Sequence, residues 1–400
     1  VQTARPSQAS TFKSNQQPQQ SRPAPVMPQQ ASAGMPGWVW AVVGAAAVAI
    51  IGAICIFVKF GGSSSPQQNP VKDPAPPAST PAAPTPKASA PQTAPAAAQK
   101  TDNIKLALLG TLRGHNGTVD SVAFSRNGKL LASAGGDKSV HTWDAQSGEP
   151  KRTLSGSTDP LISLSFAPDN KTIAAVAADN TVIFWDAATG QQKKTLSSEK
   201  NNLFPVALSP DTELLATGGS DRKTVRLIDT LSGATKKLFP NHSSWIRSIS
   251  FCADGKLMAV QCHDDTIHIW NINTGQLVHS LTSPGNTVVA AAFSNDGRFL
   301  ATGGDNRNVK VWDLQTGALH QTFSDHSGDV KACAFSPDRR WLATSGDDKT
   351  IKIWEVFTGQ LKQTLTSHEG SVNTLTFSAD GTLLASGGAD QSVKLWQVNL

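Results

Sequence analysis

The chain has 400 residues, 38% of them apolar, a formal net charge of +5 and four cysteines. Of its 35 basic and 30 acidic residues, seven basic (Arg5, Lys13, Arg22, Lys59, Lys72, Lys87, Lys100) and two acidic (Asp73, Asp102) precede residue 105, which leaves 28 of each in the remainder. A charge-balanced C-terminal part argues against nucleic acid as a partner, because a phosphate-binding surface needs clustered Lys and Arg. Four scattered cysteines with no CxxC pair argue equally against a disulfide framework, a zinc site or a redox motif.

Residues 1–36 are dense in Gln and Pro and poor in large apolar side chains. Such low-complexity composition predicts a disordered segment. A second region, 37–60, contains the uncharged 21-residue run Trp38 to Val58. At about 1.5 Å rise per residue that run is long enough to cross a hydrocarbon core of ~30 Å. Trp38 and Trp40 mark one edge, and Phe57, Lys59 and Phe60 the other, as expected at the two interfaces of a transmembrane helix. A signal peptide would be shorter, nearer the start and closed by small residues, whereas this run ends Ile54-Cys55-Ile56-Phe57. The expectation is a single-pass membrane protein. The nearby charges, Arg22 against Lys59 and Lys72, do not decide its orientation. An uncleaved anchor commonly leaves the long C-terminal domain outside, so the extracytoplasmic side is expected for that domain. Ala45, Ala49 and Ala53 would share one helix face and let two spans pack closely, which would support a weak dimer at most.

Residues 61–103 contain ten Pro and ten Ala. This composition cannot bury enough apolar surface to offset its ordering entropy, so a disordered, extended linker is expected.

From 104 to 400 the pattern changes to short alternating apolar runs between turn signals, which predicts antiparallel strands. Trp143, Trp185, Ile228, Trp270, Trp312, Trp354 and Trp396 recur at gaps of 42 or 43 residues. Other positions recur in step: Phe124, Phe166, Leu208, Phe251, Phe293, Phe335 and Phe377 close one strand, and Asp137, Asp179, Asp221, Asp264, Asp348 and Asp390 occupy a tight turn. A period of ~40–45 residues with four strands per unit predicts an all-β, seven-bladed propeller. The last unit stops after its third strand, and an orphan stretch, 104–112, precedes the first. That stretch is therefore expected to close the last blade, removing two open edges.

The residues Gly114-His115 with Trp143-Asp144, His242 with Trp270-Asn271, His326 with Trp354-Glu355, and His368 with Trp396-Gln397 resemble the WD40-repeat β-propeller family. Together with the apolar run, they resemble its membrane-anchored, bacterial-type members. The resemblance implies buried structural tetrads at His115, Ser133, Asp137 and Trp143, at His326, Thr344, Asp348 and Trp354, and at His368, Ser386, Asp390 and Trp396. It implies that imidazole links carboxylate to hydroxyl, and hydroxyl to indole. The inventory overlaps a hydrolase triad, but three copies in one domain without a nucleophile elbow point to structure. Other blades depart from the pattern: Ser157 and Ala175 in blade two, Glu199 and Ile228 in blade three, Val260 in blade four, and Pro284 and Asn306 in blade five.

The family binds mostly at the face formed by the loops before each first strand and the tight turns. There Trp245 replaces Thr118, Pro160, Asn202, Thr287, Asp329 and Ser371 of the other blades, with Arg247 beside it. Phe204, Lys331 and Asp120 stand where Arg247 does. Exposed Trp beside Arg is the pairing that interfaces favour, and the competing expectation is that Trp245 packs onto its own blade. The functional expectation is a membrane-anchored protein-interaction scaffold with no enzyme activity, cofactor or metal. Its alternatives are the sensor domain of a membrane signalling protein whose upstream part lies outside this chain, and a propeller hydrolase. Neither HExxH, GxSxG nor a Walker sequence supports the last.

Overall fold

The computed structural model describes residues 104–196, 205–218, 221–285 and 287–399. The segments 1–36, 37–60 and 61–103, with the apolar run at 38–58, lie outside the described residues, as do Phe204 and Glu199. Among the described residues no helix is long and apolar enough to cross a membrane.

The described strands form seven four-stranded antiparallel sheets. Strand β1 spans Lys105–Arg113; blade one follows with β2 (Val119–Phe124), β3 (Leu130–Gly135), β4 (Val140–Asp144) and β5 (Pro150–Leu154). Burial peaks in the second strand of the blade and falls toward the rim. In β3 every residue but the first is buried, whereas in β5 only Leu154 is. That gradient explains the composition: small Ala and Gly fill the strands sandwiched between blades, and Lys, Arg and Thr occupy the rim.

The remaining blades begin with β6 (Leu161–Phe166), β10 (Val206–Leu208), β14 (Ile246–Phe251), β18 (Val288–Phe293), β22 (Val330–Phe335) and β26 (Val372–Phe377). Each of these inner strands contacts the inner strand of the next blade, and β2 meets β26, so the ring closes. Blade seven comprises β26, β27 (Leu383–Gly388), β28 (Ser392–Asn399) and, as its fourth strand, β1. Lys105 pairs with Asn399, and Arg113 with Ser392 at the other end. Ile104, Leu106 and Leu112 are buried by this pairing, the first two in a cluster with Trp396, Trp341 and Leu365. The N-terminal strand thus supplies both the missing ladder partner of β28 and part of the core between blades six and seven.

One further feature of the inner strands positions the site. Residue pairing slips by one between Val119 and Ser121, Leu161 and Ser163, Ile246 and Ser248, Val288 and Ala290, Val330 and Ala332, and Val372 and Thr374. Six inner strands therefore carry a β-bulge at one equivalent position, where the extra residue leaves the ladder and its side chain is re-aimed. The chain is tightest just above. A Cβ on Gly135 would lie 1.8 Å from the Thr118 carbonyl oxygen, and one on Gly346 1.9 Å from that of Asp329. In blades one and six glycine leaves room for the loop before the inner strand to cross the second strand this closely, while Ala177 and Cys262 stand at the equivalent position in blades two and four.

Candidate functional site

The upper face is built from these crossing loops and from the tight turns between the second and third strands. In each turn the residue after the recurring acid or Asn306 is left-handed: Lys138, Asn180, Arg222, Asp265, Arg307, Lys349 and Gln391. Where an imidazole, a hydroxyl and an indole are all present, a hydrogen-bond chain fixes the turn against the loop. In blade one His115 Nδ1 lies 2.7 Å from Asp137 Oδ2, His115 Nε2 lies 2.8 Å from Ser133 Oγ, and Trp143 Nε1–H donates to the same Oγ at 3.0 Å. The corresponding distances are 2.7, 2.8 and 2.8 Å for His326, Asp348, Thr344 and Trp354. They are 2.8, 2.8 and 3.0 Å for His368, Asp390, Ser386 and Trp396.

The chemistry assigns the protons. Indole can only donate and carboxylate can only accept, so Nδ1 carries the imidazole proton and the hydroxyl donates to Nε2. Burial alone would raise the Asp137, Asp348 and Asp390 carboxyls, but the bonds from their histidines and from neighbouring groups hold all three well below the usual carboxylate range. The hydroxyls are buried and already bonded on both sides, so they are not free to act as nucleophiles.

The departing blades solve the same problem differently. With Ala175 at the hydroxyl position, Trp185 donates instead to the Ser155 carbonyl at 2.9 Å. With Val260 there, Trp270 donates directly to His242 Nε2 at 3.1 Å, and His242 Nδ1–H turns to the Lys223 carbonyl at 2.8 Å. Asp264 does not join that chain; it accepts from Thr266. In blade five Trp312 reaches Thr302 at 3.0 Å without any imidazole, since Pro284 stands at that position. In blade three Ile228 offers no donor, and the buried Thr217 hydroxyl has no partner among the described residues.

Among the described residues one group, His115, Asp137 and His141, brings three metal-capable atoms within 4.8 Å of one another. Both His115 nitrogens are committed to the tetrad, and Asp137 accepts from His115 and from the Asn116 amide. A cation there would have to break the chain that fixes the turn. His263, beside Asp264 and Asp265, is occupied in another way, its ring lying edge-on to Trp245 at 6.5 Å.

The candidate partner-binding residues divide sharply. Trp245 is 52% exposed, so it does not fold down as core. The Arg222 guanidinium sits 5.1 Å from its ring centroid and pins it at the surface. Arg247 is the bulged residue of β14, half-buried at the mouth of the channel. Asp120 and Lys331 are the bulged residues of their own blades but are buried and committed. Asp120 accepts from Thr118 Oγ1 at 2.9 Å and from Asn373 Nδ2 at 3.2 Å, and burial pushes its carboxyl up to about 6 against those bonds. Lys331 lies 3.1 Å from Asp347 and 3.7 Å from Asp329. Sequence reasoning missed Arg222 and Asn373. The 43-residue spacing of blade three was a signal for the first. Nothing local marks the second, whose partner is 253 residues away.

At the opposite mouth Phe124, Phe166, Leu208, Phe251, Phe293, Phe335 and Phe377 ring a cavity of about 560 Å³. They are the same recurring positions that closed the inner strands in the sequence.

Seven radial four-stranded sheets, a last blade closed by the first strand and His–Asp–hydroxyl–Trp chains on the upper face define a WD-type propeller, in general a non-enzymatic scaffold for protein partners. The chain belongs to the WD40-repeat β-propeller family: a family model described as "IFT122 first beta-propeller" matches residues 100–343, more than half of the chain, and one described as "WD domain, G-beta repeat" matches residues 359–397. The chain is 52% identical over 50 residues to the probable cytosolic iron-sulfur protein assembly protein 1 of Malassezia globosa, covering 12% of this chain and 14% of that protein. It is 49% identical over 45 residues to the protein tipD of Dictyostelium discoideum, covering 11% and 7%. It is 27% identical over 186 residues to the nuclear distribution protein PAC1-2 of Uncinocarpus reesii, covering 44% and 40%. The chain thus spans less than half the length of each of these relatives, all of them eukaryotic. The comparisons carry the propeller family and not its bacterial-type, membrane-anchored subclass.

Proposed function

We propose that this protein is a membrane-anchored docking platform whose upper propeller face, centred on Trp245, binds a protein partner. One observation carries the reading: a large aromatic side chain stands half out of the surface, held there by Arg222 rather than by the core. Exposed Trp at a rigid rim is the residue type that dominates binding energy at interfaces. The blades around the site, three to five, lack the full tetrad, which leaves their loops freer to carry binding, and two relatives bear names that speak of assembly and distribution. The decisive experiment is to pan a displayed peptide library on the full chain and on Trp245→Ala. Selected peptides should lose at least ~10-fold in affinity for the variant, or about 1.4 kcal/mol, while its melting curve stays unchanged. Equal binding to both proteins refutes the reading.

The anchor rests on the run Trp38 to Val58. It is tested by alkaline carbonate extraction, in which the chain should stay with the membrane, and by protease protection, in which the propeller should be cut from the extracytoplasmic side. Release by carbonate overturns the anchor, and protection of the propeller from that side reverses the orientation.

A further inference from the structure

The ring of bulged residues at the upper mouth of the channel consists, among the described residues, of Asp120, Ile162, Arg247, Val289, Lys331 and Asn373. Three are charged, and two of these have bonded partners within the propeller: Asp120 accepts from Thr118 and Asn373, and Lys331 pairs with Asp347 and Asp329. Arg247 differs. Among the described residues nothing gives its guanidinium a hydrogen bond or an ion pair, and Asp265 and Asp305 act on it only at longer range. Those two carboxylates are already held elsewhere, Asp265 by the Gly285 amide at 2.9 Å and Asp305 by the Thr287 amide at 2.8 Å. Burial has also lowered the Arg247 pKa below its ordinary value, as happens when a cation loses water without gaining a full counter-charge.

A half-desolvated guanidinium with free donors is costly to leave as it stands and is shaped to take a planar carboxylate with two parallel bonds. The surroundings select what brings that carboxylate. Asp264, Asp265 and Asp305 lie around this part of the face, and the domain from 105 onward carries as many acids as bases. A polyanion such as nucleic acid, with a charge on every phosphate, would be repelled by those acids far more strongly than a single carboxylate seated on the guanidinium. Two residues upstream, Trp245 offers an exposed apolar surface.

We propose that Arg247 and Trp245 together recognise a peptide segment in which an acidic side chain stands next to an apolar one, the carboxylate going to the Arg247 fork and the apolar group to the open surface of Trp245. The proposal rests on the upper face being the docking face and names the chemistry that face selects.

The test uses the full chain in detergent and pools of immobilised hexapeptides that share an apolar residue at position three and carry Glu or Gln at position four. The Glu pool should bind at least ~10-fold more tightly than the Gln pool. Arg247→Met should abolish that preference, and Arg247→Lys, which keeps the charge but not the fork, should recover only part of it. Trp245→Ala should weaken both pools. Matching melting curves establish that the variants are folded. If Trp245→Ala weakens both pools but the Glu preference is absent, or survives in Arg247→Met, the carboxylate proposal falls and the docking face stands. If neither substitution changes binding, or no pool binds at about 1 mM peptide, both fall. Displacement of the Glu pool by single-stranded DNA as effective as by free Glu peptide would show a polyanion site and overturn the proposal.

Discussion

Asp348 is the residue whose removal tests the tetrad most directly. Its Oδ2 accepts from His326 Nδ1 at 2.7 Å and from the Ser327 amide at 3.0 Å; its Oδ1 accepts from the Thr350 amide at 3.0 Å and from the Thr350 hydroxyl at 2.8 Å. Asp348→Ala removes all four bonds and leaves the N–H of an almost fully buried imidazole unpaired. A charge-assisted bond to a buried donor is worth about 1.5–3 kcal/mol, and the partly exposed bonds less each, so a loss of about 3–4 kcal/mol is expected. For nearly 300 folded residues the unfolding entropy is about 0.6 kcal/mol per degree, which converts this loss to a fall in Tm of roughly 5–6 °C. The pH dependence follows from the direction of the shift. The Asp348 carboxyl is depressed in the fold, so its contribution is fully present above the ordinary carboxylate pKa of about 3.9 and is lost as pH falls through the lower folded value. Differential scanning fluorimetry from pH 7 down to about pH 2 should therefore show the gap between wild type and variant constant near neutrality and closing in acid. A Tm change under about 1 °C at pH 7, or a gap that does not narrow in acid, would show that the chain contributes little to holding the turn.

Three further outcomes are expected. Asp120→Asn should stabilise the protein at pH 8 by about 2–3 kcal/mol and have little effect at pH 4, because the Asp120 pKa is raised to about 6 and the wild type loses stability as pH rises through that value; a pH-independent effect in urea titrations counts against this. Gln261 is fully buried with neither Oε1 nor Nε2 bonded among the described residues, so Gln261→Met, of similar volume, should raise stability by about 1–3 kcal/mol; a lower Tm would mean that the amide has an ordered partner. Deleting 104–112 removes the buried Ile104, Leu106 and Leu112, uncovers the core they pack against and strips β28 of its ladder, a loss of about 5–9 kcal/mol, whereas deleting 61–103 should leave melting unchanged; equal melting of the two truncations would refute the role of β1 as the closing strand.

Much of this molecule was readable from its repeat. A side-chain pattern recurring every 42 residues names the blades, because each small sheet hides its apolar faces only against a neighbour made of the same pattern. The tetrad positions were legible for the same reason: His326, Thr344, Asp348 and Trp354 recur in register with their counterparts, and their partners lie within one repeat. The closing role of 104–112 could be read from the missing fourth strand after Trp396. What the repeat could not show is any property arising where blades deviate or where distant segments meet. The spacing placed Asp120, Arg247 and Lys331 as equivalents, yet only the assembled ring reveals that Asn373 bonds Asp120, that Asp347 pairs with Lys331 and that Arg247 has no bonded partner among the described residues. Arg222 reaches Trp245 from another blade, through a left-handed turn that no local propensity announces. Periodicity is a property of neighbours along the chain, so the sequence alone determined the architecture. Exposure, pairing and the bulges that aim side chains at the channel depend on which blades stand next to each other in space, and the tertiary structure decided those.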